Sequence, residues 1–137
     1  MPTPGSCLCG AVKIELDGET TDIGMCHCSK CRKVSGVASN ATLMVSADHL
    51  RWIAGENEIT KFELEGGWGA WRCSVCGSPV PKLHPGGGAY WVPAGILDSD
   101  PGVRIAGHIF VGSKAAWDEI AGDGPRLRDG FGSESID

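Results

Sequence analysis

Seven cysteines are the residues of this chain whose type and spacing most clearly indicate chemistry. They fall into three groups, in SCLCGA, MCHCSKC and RCSVCGS: Cys7 and Cys9; Cys26, Cys28 and Cys31; Cys73 and Cys76. In a reducing compartment, clustered cysteines are more often metal ligands or catalytic groups than disulfides. Disulfides would also leave one thiol of an odd number unpaired, and residues two apart reach disulfide torsions only with strain. Metal binding is therefore the preferred interpretation.

Two of the groups together supply the four thiolates that a closed tetrahedral zinc site requires. Cys73 and Cys76 have CxxC spacing, and Gly77 after them permits the positive φ of a tight turn whose N–H groups face the sulfurs. Cys7 and Cys9 lie two apart, so on an extended segment both side chains point to one face. The pairing of these groups depends on counting ligands rather than on spacing. We expect a structural zinc here.

The remaining group has three cysteines, and three protein ligands with an open fourth position are typical of a catalytic zinc. The segment CSKCRKVSG predicts a short helix ended by Gly36, with Cys28 and Cys31 at i and i+3 on one face. Cys26 precedes this helix and would supply the third ligand. The sequence therefore predicts one complete site and one open site.

Other interpretations of the three-cysteine group stay open. It could form half of one large zinc cluster, recruit a histidine into a second structural site, or hold an iron–sulfur cluster. His27 is the nearest imidazole, but on an extended stretch it points away from the neighbouring thiolates, so we expect it behind the site or at the surface. The other histidines are isolated and are expected at the surface or in packing: His49, His84 and His108.

The secondary-structure elements that position these cysteine groups are predicted to be short strands. With 137 residues the chain has the length of a single domain, 1–137, and its 21 glycines and 8 prolines favour strands joined by frequent turns. In GAVKIEL, Val12, Ile14 and Leu16 alternate as on the buried face of a strand. Further strand candidates are ASNATLMVS, ITKFELEGG, WGAWRC, AYWVPAGIL and GHIFVG.

A second short helix is predicted in SKAAWDEIAG, with Ser113 as its N-cap and an apolar face that includes Trp117 in the core. Residues 122–137 carry little apolar surface and are expected to form a flexible tail. The sequence therefore predicts a mainly β fold of short antiparallel strands with two short helices.

Charge and hydropathy exclude several classes of protein. The net charge of −5 argues against a nucleic-acid partner. No apolar run has the length of a membrane span, and the first residues lack the pattern of a signal peptide. We therefore expect a cytoplasmic protein with no membrane association, whose oligomeric state the sequence does not indicate.

Together these motifs resemble the glutathione-dependent formaldehyde-activating enzymes, a family that includes relatives of centromere protein V. The matching segments are GSCLCGAV, CHCSKCRK, CSVCGSP and HIFVGSKAAWDEIAGDGPR. The resemblance implies a zinc-stabilised fold of the β-tent type with two zinc ions: a structural one on the four-cysteine set and a catalytic one on the three-cysteine set. It also implies a carbon–sulfur lyase that joins formaldehyde and glutathione into S-(hydroxymethyl)glutathione.

The chemistry agrees with that implication. Three thiolates leave a bound zinc electron-rich, which suits holding a further thiolate, such as that of glutathione, ready to add to a small aldehyde. The anionic glutathione needs a local positive field, which we assign to Lys30, Arg32 and Lys33. The first alternative is a zinc-stabilised interaction module without catalysis. The second is a methionine-sulfoxide reductase, which would need a redox cysteine outside the clusters, whereas all seven cysteines lie within them.

Overall fold

A computed structural model of the chain describes residues 2–136 and is mainly β, as predicted. Its strands are β1 Thr3–Ser6, β2 Lys13–Leu16, β3 Ile23–Cys26, β4 Asn40–Ser46, β5 Leu50–Ala54, β6 Ile59–Glu63, β7 Gly69–Cys73, β8 Lys82–Leu83, β9 Ala89–Pro93 and β10 Ile105–Ile109. One α-helix, α1 Ser29–Ser35, lies among the described residues. Each strand candidate from the sequence contains one of these strands, except GHIFVG, which begins two residues after the start of β10.

The first of two compact units comprises the residues up to Thr21 together with Leu43–Val103. In it, β2 pairs antiparallel with both β1 and β5, and Ile14 faces Gly5 on one side and Trp52 on the other. Two further antiparallel pairs are β6 with β7 and β8 with β9. The predicted alternation of β2 is confirmed, because Ile14 and Leu16 are buried and Lys13 is exposed.

The second unit comprises Asp22–Thr42 and the residues from Arg104 onward. Within it, β3 pairs antiparallel with the start of β4 and parallel with β10. The parallel pair corrects the expectation of antiparallel strands throughout. It forms because β10 comes late in the chain, after a connection long enough for the crossover that parallel pairing requires. The register places His108 beside Met25 and Ile109 beside Cys26.

The second predicted helix is wrong. Residues Val111–Ser113 form a single 3-10 turn, so Ser113 ends an element instead of capping a new one, and Lys114 is extended. The Lys114 Nζ donates to the carbonyls of Ala115 and Asp118, which holds the segment in a tight irregular turn. Trp117 is 73% exposed, so the prediction that it lies in the core is wrong, although Ala115 is buried. A helix here would lack the large buried side chain that stabilises short helices.

The tail follows a hydrogen-bonded path. The Leu127 N–H donates to the His108 carbonyl, and the Ile136 N–H donates to the Arg126 carbonyl. The flexibility expected of residues 122–137 stays a prediction. Within the described residues, α1 and the 3-10 turns fall short of the length and apolar character of a membrane-spanning helix.

Candidate metal centres

The three-cysteine group forms where β3 passes into α1. Cys26 is the last residue of β3, and Cys28 is the N-cap of α1, whose Sγ accepts a hydrogen bond from the Cys31 N–H at 3.3 Å. Cys31 lies on the buried side of α1, and Gly36 ends the helix with a φ of 73°, as the sequence predicted. The three Sγ atoms lie within 4.8 Å of one another. This cluster could hold a metal ion.

The thiols of this group share their protons unequally. A hydrogen bond from the Cys31 thiol, together with weaker ones from Cys28, outweighs burial and lowers the pKa of Cys26 to about 6. The pKa of Cys31 is raised because its thiol donates to the Cys26 thiolate and lies next to that charge. Of these two thiols, Cys26 is therefore the one that ionises first. Soft, electron-rich sulfur ligands of this kind suit zinc.

His27 turns its ring away from the thiols, as the sequence predicted, and is buried with only 1% of its surface exposed. Its Nε2 lies 2.9 Å from the His108 Nδ1, and its Nδ1 lies 3.3 Å from the Asp118 Oδ2. Burial and the neighbouring His108 lower the pKa of His27. Burial and the Arg126 charge lower the pKa of His108. Both rings are therefore neutral at pH 7.

The sequence does not predict the contacts of His108 and Asp118, because His108 stands alone in it and was expected at the surface or in packing. His108 reaches His27 because β10 pairs in parallel beside β3, and Asp118 reaches it from the irregular turn that replaces the expected helix. Alternation along an extended segment does predict that the His27 side chain points away from the cysteines. It does not predict which residues that side chain contacts.

The three cations assigned to substrate lie in different settings. Arg32 donates from Nε to the His27 carbonyl at 3.4 Å and from Nη2 to the Ser113 carbonyl at 3.2 Å. Lys30 and Lys33 are exposed and lie at i and i+3, so they share the solvent face of α1. Arg32 is thus committed to the backbone around the site, whereas the two lysines contribute to its electrostatic field.

The four-cysteine group lies in the first unit. The Sγ atom of Cys9 lies 3.6 Å from that of Cys7 and 3.8 Å from that of Cys73, and all four Sγ atoms lie within 4.8 Å of one another. Gly77 has a φ of 78°, and its N–H closes the CxxC turn on the Cys73 carbonyl at 2.8 Å. The structure thus brings together the two pairs that the ligand count joined.

Packing and hydrogen bonds support these four sulfurs. Cys7 and Cys73 are buried in a core cluster with Val12 and Val80. Burial raises the pKa of Cys7, but hydrogen bonds from the Val12 N–H and from neighbouring thiols outweigh it, so the net pKa is lowered. Four thiols in one cluster form the complete donor set of a tetrahedral zinc site.

The two outer cysteines of this group titrate in opposite directions. Hydrogen bonds from the Ser78 hydroxyl and N–H lower the pKa of Cys76 to about 5. The Ala11 N–H lowers the pKa of Cys9, but burial and the neighbouring sulfurs outweigh it and raise the pKa to about 11. The four-cysteine group therefore carries negative charge before a metal ion binds.

Comparisons with known proteins agree with this geometry. A family model described as "Glutathione-dependent formaldehyde-activating enzyme" matches residues 2–113, which include all seven cysteines. A crystal structure of a Rhodobacter sphaeroides protein is similar, with 29% sequence identity, a TM-score of 0.57, and coverage of 71% of this chain and 89% of that one. No curated protein matches the chain.

Proposed function

Because the chain belongs to the glutathione-dependent formaldehyde-activating enzyme family, we propose that it is a zinc-dependent carbon–sulfur lyase of the S-(hydroxymethyl)glutathione synthase type. It adds a glutathione-like thiol to a small aldehyde such as formaldehyde at the three-cysteine site. The observation that carries this proposal is the convergence of three Sγ atoms within 4.8 Å, one ligand fewer than a tetrahedral ion takes.

The reaction is an addition to a carbonyl group. The sulfur lone pair forms the C–S bond, the carbonyl π bond breaks, and the carbonyl oxygen takes up the proton that the thiol released. A zinc ion held by three thiolates would supply a position at which a substrate thiol could ionise and stay nucleophilic. Cys26, Cys28 and Cys31 would hold that ion.

The charges of the chain shape how an anionic thiol approaches. The net charge of −5 repels glutathione over long distances. Lys30 and Lys33 provide positive charge on the solvent face of the helix that carries Cys31. Arg32 holds the loop before that helix through the His27 carbonyl. We assign the lysines to attracting the substrate and Arg32 to positioning the site.

The four-cysteine group has the structural role in this proposal, since its donor set is complete and two of its members lie in the core. We place the reaction in the cytoplasm, where a reducing environment keeps clustered thiols available to metal ions. Two zinc ions per chain are then expected.

The proposal is tested by exchange NMR with ¹³C-formaldehyde and glutathione, which measures how fast the free aldehyde and the thiol adduct interconvert. The protein should accelerate interconversion above the spontaneous rate. Cys28→Ser should abolish the acceleration in a folded protein, whereas Ser29→Ala, at the exposed neighbour, should retain it. No acceleration by the zinc-loaded wild-type protein would contradict the proposed activity.

A zinc-stabilised interaction module is the second candidate. Two apolar side chains project from the turns of the four-cysteine group, Leu8 with 90% and Val75 with 66% of their surface exposed. Exposed apolar residues of this kind are common in partner contacts. Under this alternative, small thiols would neither displace nor exchange the metal of the three-cysteine site.

A further inference from the structure

A chain of three polar side chains, two of them buried, includes the histidine that lies between two cysteines of the three-cysteine site. The His108 Nδ1 lies 2.9 Å from the His27 Nε2, and the His27 Nδ1 lies 3.3 Å from the Asp118 Oδ2. Both histidines are buried, and the Asp118 side chain is 16% exposed. All three residues belong to the second unit.

The types of these groups order the chain in one direction. A carboxylate oxygen is an acceptor, so the proton of His27 belongs on Nδ1, towards Asp118. The His27 Nε2 is then an acceptor, and the His108 Nδ1–H donates to it. His27 uses opposite ring nitrogens for its two contacts, so these three side chains cannot converge on a single metal ion. The chain is a polar support instead, with a hydrogen bond between the two rings and a close contact from His27 to the carboxylate.

Every polar atom of His27 contacts another group of the second unit. The backbone N–H donates to the Ile109 carbonyl at 3.0 Å, and the backbone carbonyl accepts from the Arg32 Nε at 3.4 Å. The ring contacts His108 and Asp118 as described above. The Nδ1–Oδ2 contact of 3.3 Å is a close polar contact and not an aligned hydrogen bond, because both atoms are buried and neither has a hydrogen-bond partner among the described residues.

The contacts of His27 with His108, Asp118, Arg32 and Ile109, called the His27 clamp below, also constrain the two cysteines that flank His27. His27 lies between Cys26 and Cys28, so fixing both its backbone and its ring fixes the path between two sulfurs. An apolar residue would fill the same space without the cost of burying polar groups. The polar contacts of the His27 ring with His108 and Asp118 add orientation, which packing alone does not provide.

We propose that Asp118 and His108 are positioning residues that act through His27 to hold Cys26 and Cys28 in the geometry that binds the metal. This inference rests on the proposed function, because it assigns the three-cysteine group to a metal. The family model matches residues 2–113, which include His27 and His108 but not Asp118.

The test compares Asp118→Ala and Asp118→Asn with the wild-type protein. Zinc transfer to a chromophoric chelator should be about ten-fold faster or more from the three-cysteine site of Asp118→Ala, the usual size of an effect from an outer partner of a metal site. Asp118→Asn retains an acceptor oxygen, so its rate of zinc transfer should lie between those of the wild-type protein and Asp118→Ala. Zinc release from the four-cysteine site should not change.

The chain offers a matched control. Asp17 and His49 form a second Asp–His pair, with 3.1 Å between the Asp17 Oδ1 and the His49 Nδ1, but it is exposed and lies in the first unit. Asp17→Ala should therefore leave zinc release from both sites unchanged. The sulfur-to-cobalt charge-transfer bands of the cobalt-substituted protein should shift in Asp118→Ala and not in Asp17→Ala.

A second measurement does not depend on the metal. In metal-free protein, Asp118→Ala should accelerate hydrogen exchange at the His27 amide, whereas Asp17→Ala should not. Unchanged exchange and unchanged zinc release in folded Asp118→Ala would overturn the inference. If wild-type protein binds one zinc and accelerates no adduct formation, the proposed function fails, and the amide exchange still decides whether the His27 clamp exists.

Discussion

The two cysteine groups are held in different ways. In the first unit, Cys7 and Cys73 belong to the apolar core, and tight turns close around them. In the second unit, the loop that carries the thiols is held by polar contacts to His27, from Arg32, His108 and Asp118. The first arrangement suits a metal that stabilises the fold. The second suits a site that keeps its geometry while a ligand comes and goes.

The comparison predicts unequal damage from equivalent substitutions. Cys73→Ser should unfold the first unit, because structural zinc contributes on the order of 10 kcal/mol to small domains. Cys28→Ser should leave a folded protein without the second metal. Circular dichroism during heating checks both. If Cys28→Ser unfolds the protein as severely as Cys73→Ser, both groups are structural.

Metal content gives the next largest effect. Protein purified without chelator should contain two zinc ions per chain, one for each group that could hold an ion. A chelator should remove the metal of the three-cysteine site first, because that site has one protein ligand fewer. Elemental analysis along a chelator titration measures this. A stoichiometry of one, with Cys26, Cys28 and Cys31 open to alkylation, would eliminate the second site.

The exposed lysines should have a smaller effect. Replacing both Lys30 and Lys33 by alanine should weaken glutathione binding about five-fold at low salt, the size expected for solvent-exposed charges, and spare a neutral thiol. Gln replacements at the same positions provide the control for side-chain bulk. If the binding of glutathione and the binding of the neutral thiol are weakened equally, the lysines do not act through their charge.

The smallest effect concerns the pH response of His108. Burial, and then the charge of Arg126, lower its pKa below the ordinary value of 6.5, while Asp118 opposes them. The folded protein therefore binds this proton less readily than the unfolded chain, so the contribution to stability is complete above about pH 6.5 and decreases as the pH falls below it.

An NMR titration of the His108 ring protons measures that pKa directly. Arg126→Gln should raise it, because a neighbouring positive charge is lost, whereas Arg126→Lys should keep it low. The other charged groups around this ring, Arg104 and Asp123 in the adjoining cavity, stay unchanged in both variants. A pKa that is the same in both variants would exclude the Arg126 charge as a cause.

The sequence predicts the cysteine groups well because ligand count and local spacing are properties of short segments. Gly36 and Gly77 were identifiable for the same reason, since each permits a backbone conformation required by its own turn. Mainly β structure also follows from local patterns, and alternation in β2 was enough to identify its buried face. These predictions needed no knowledge of how distant segments meet.

The support behind the three-cysteine site was not predictable in that way. His108 lies there because a late strand pairs in parallel with β3, and Asp118 because Lys114 binds two carbonyls in a segment with helical composition. Arg32 was recognised as a cation, but its hydrogen bonds to two carbonyls depend on the same tertiary arrangement. Contacts between distant segments position His108 and Arg32, whereas the turn that carries Asp118 depends on local hydrogen bonds of a side chain in a segment whose sequence pattern favours a helix.

The central claim is that the three-cysteine site takes a thiol in its open position, and calorimetry of glutathione binding in two buffers of different ionisation enthalpy tests it most directly. Binding should release about one proton, because a thiol with a pKa near 8.5 must ionise to act as a ligand. S-methylglutathione has no thiol proton and should bind far more weakly. Equal binding of the two compounds, or no binding of either at millimolar concentration, would contradict the account.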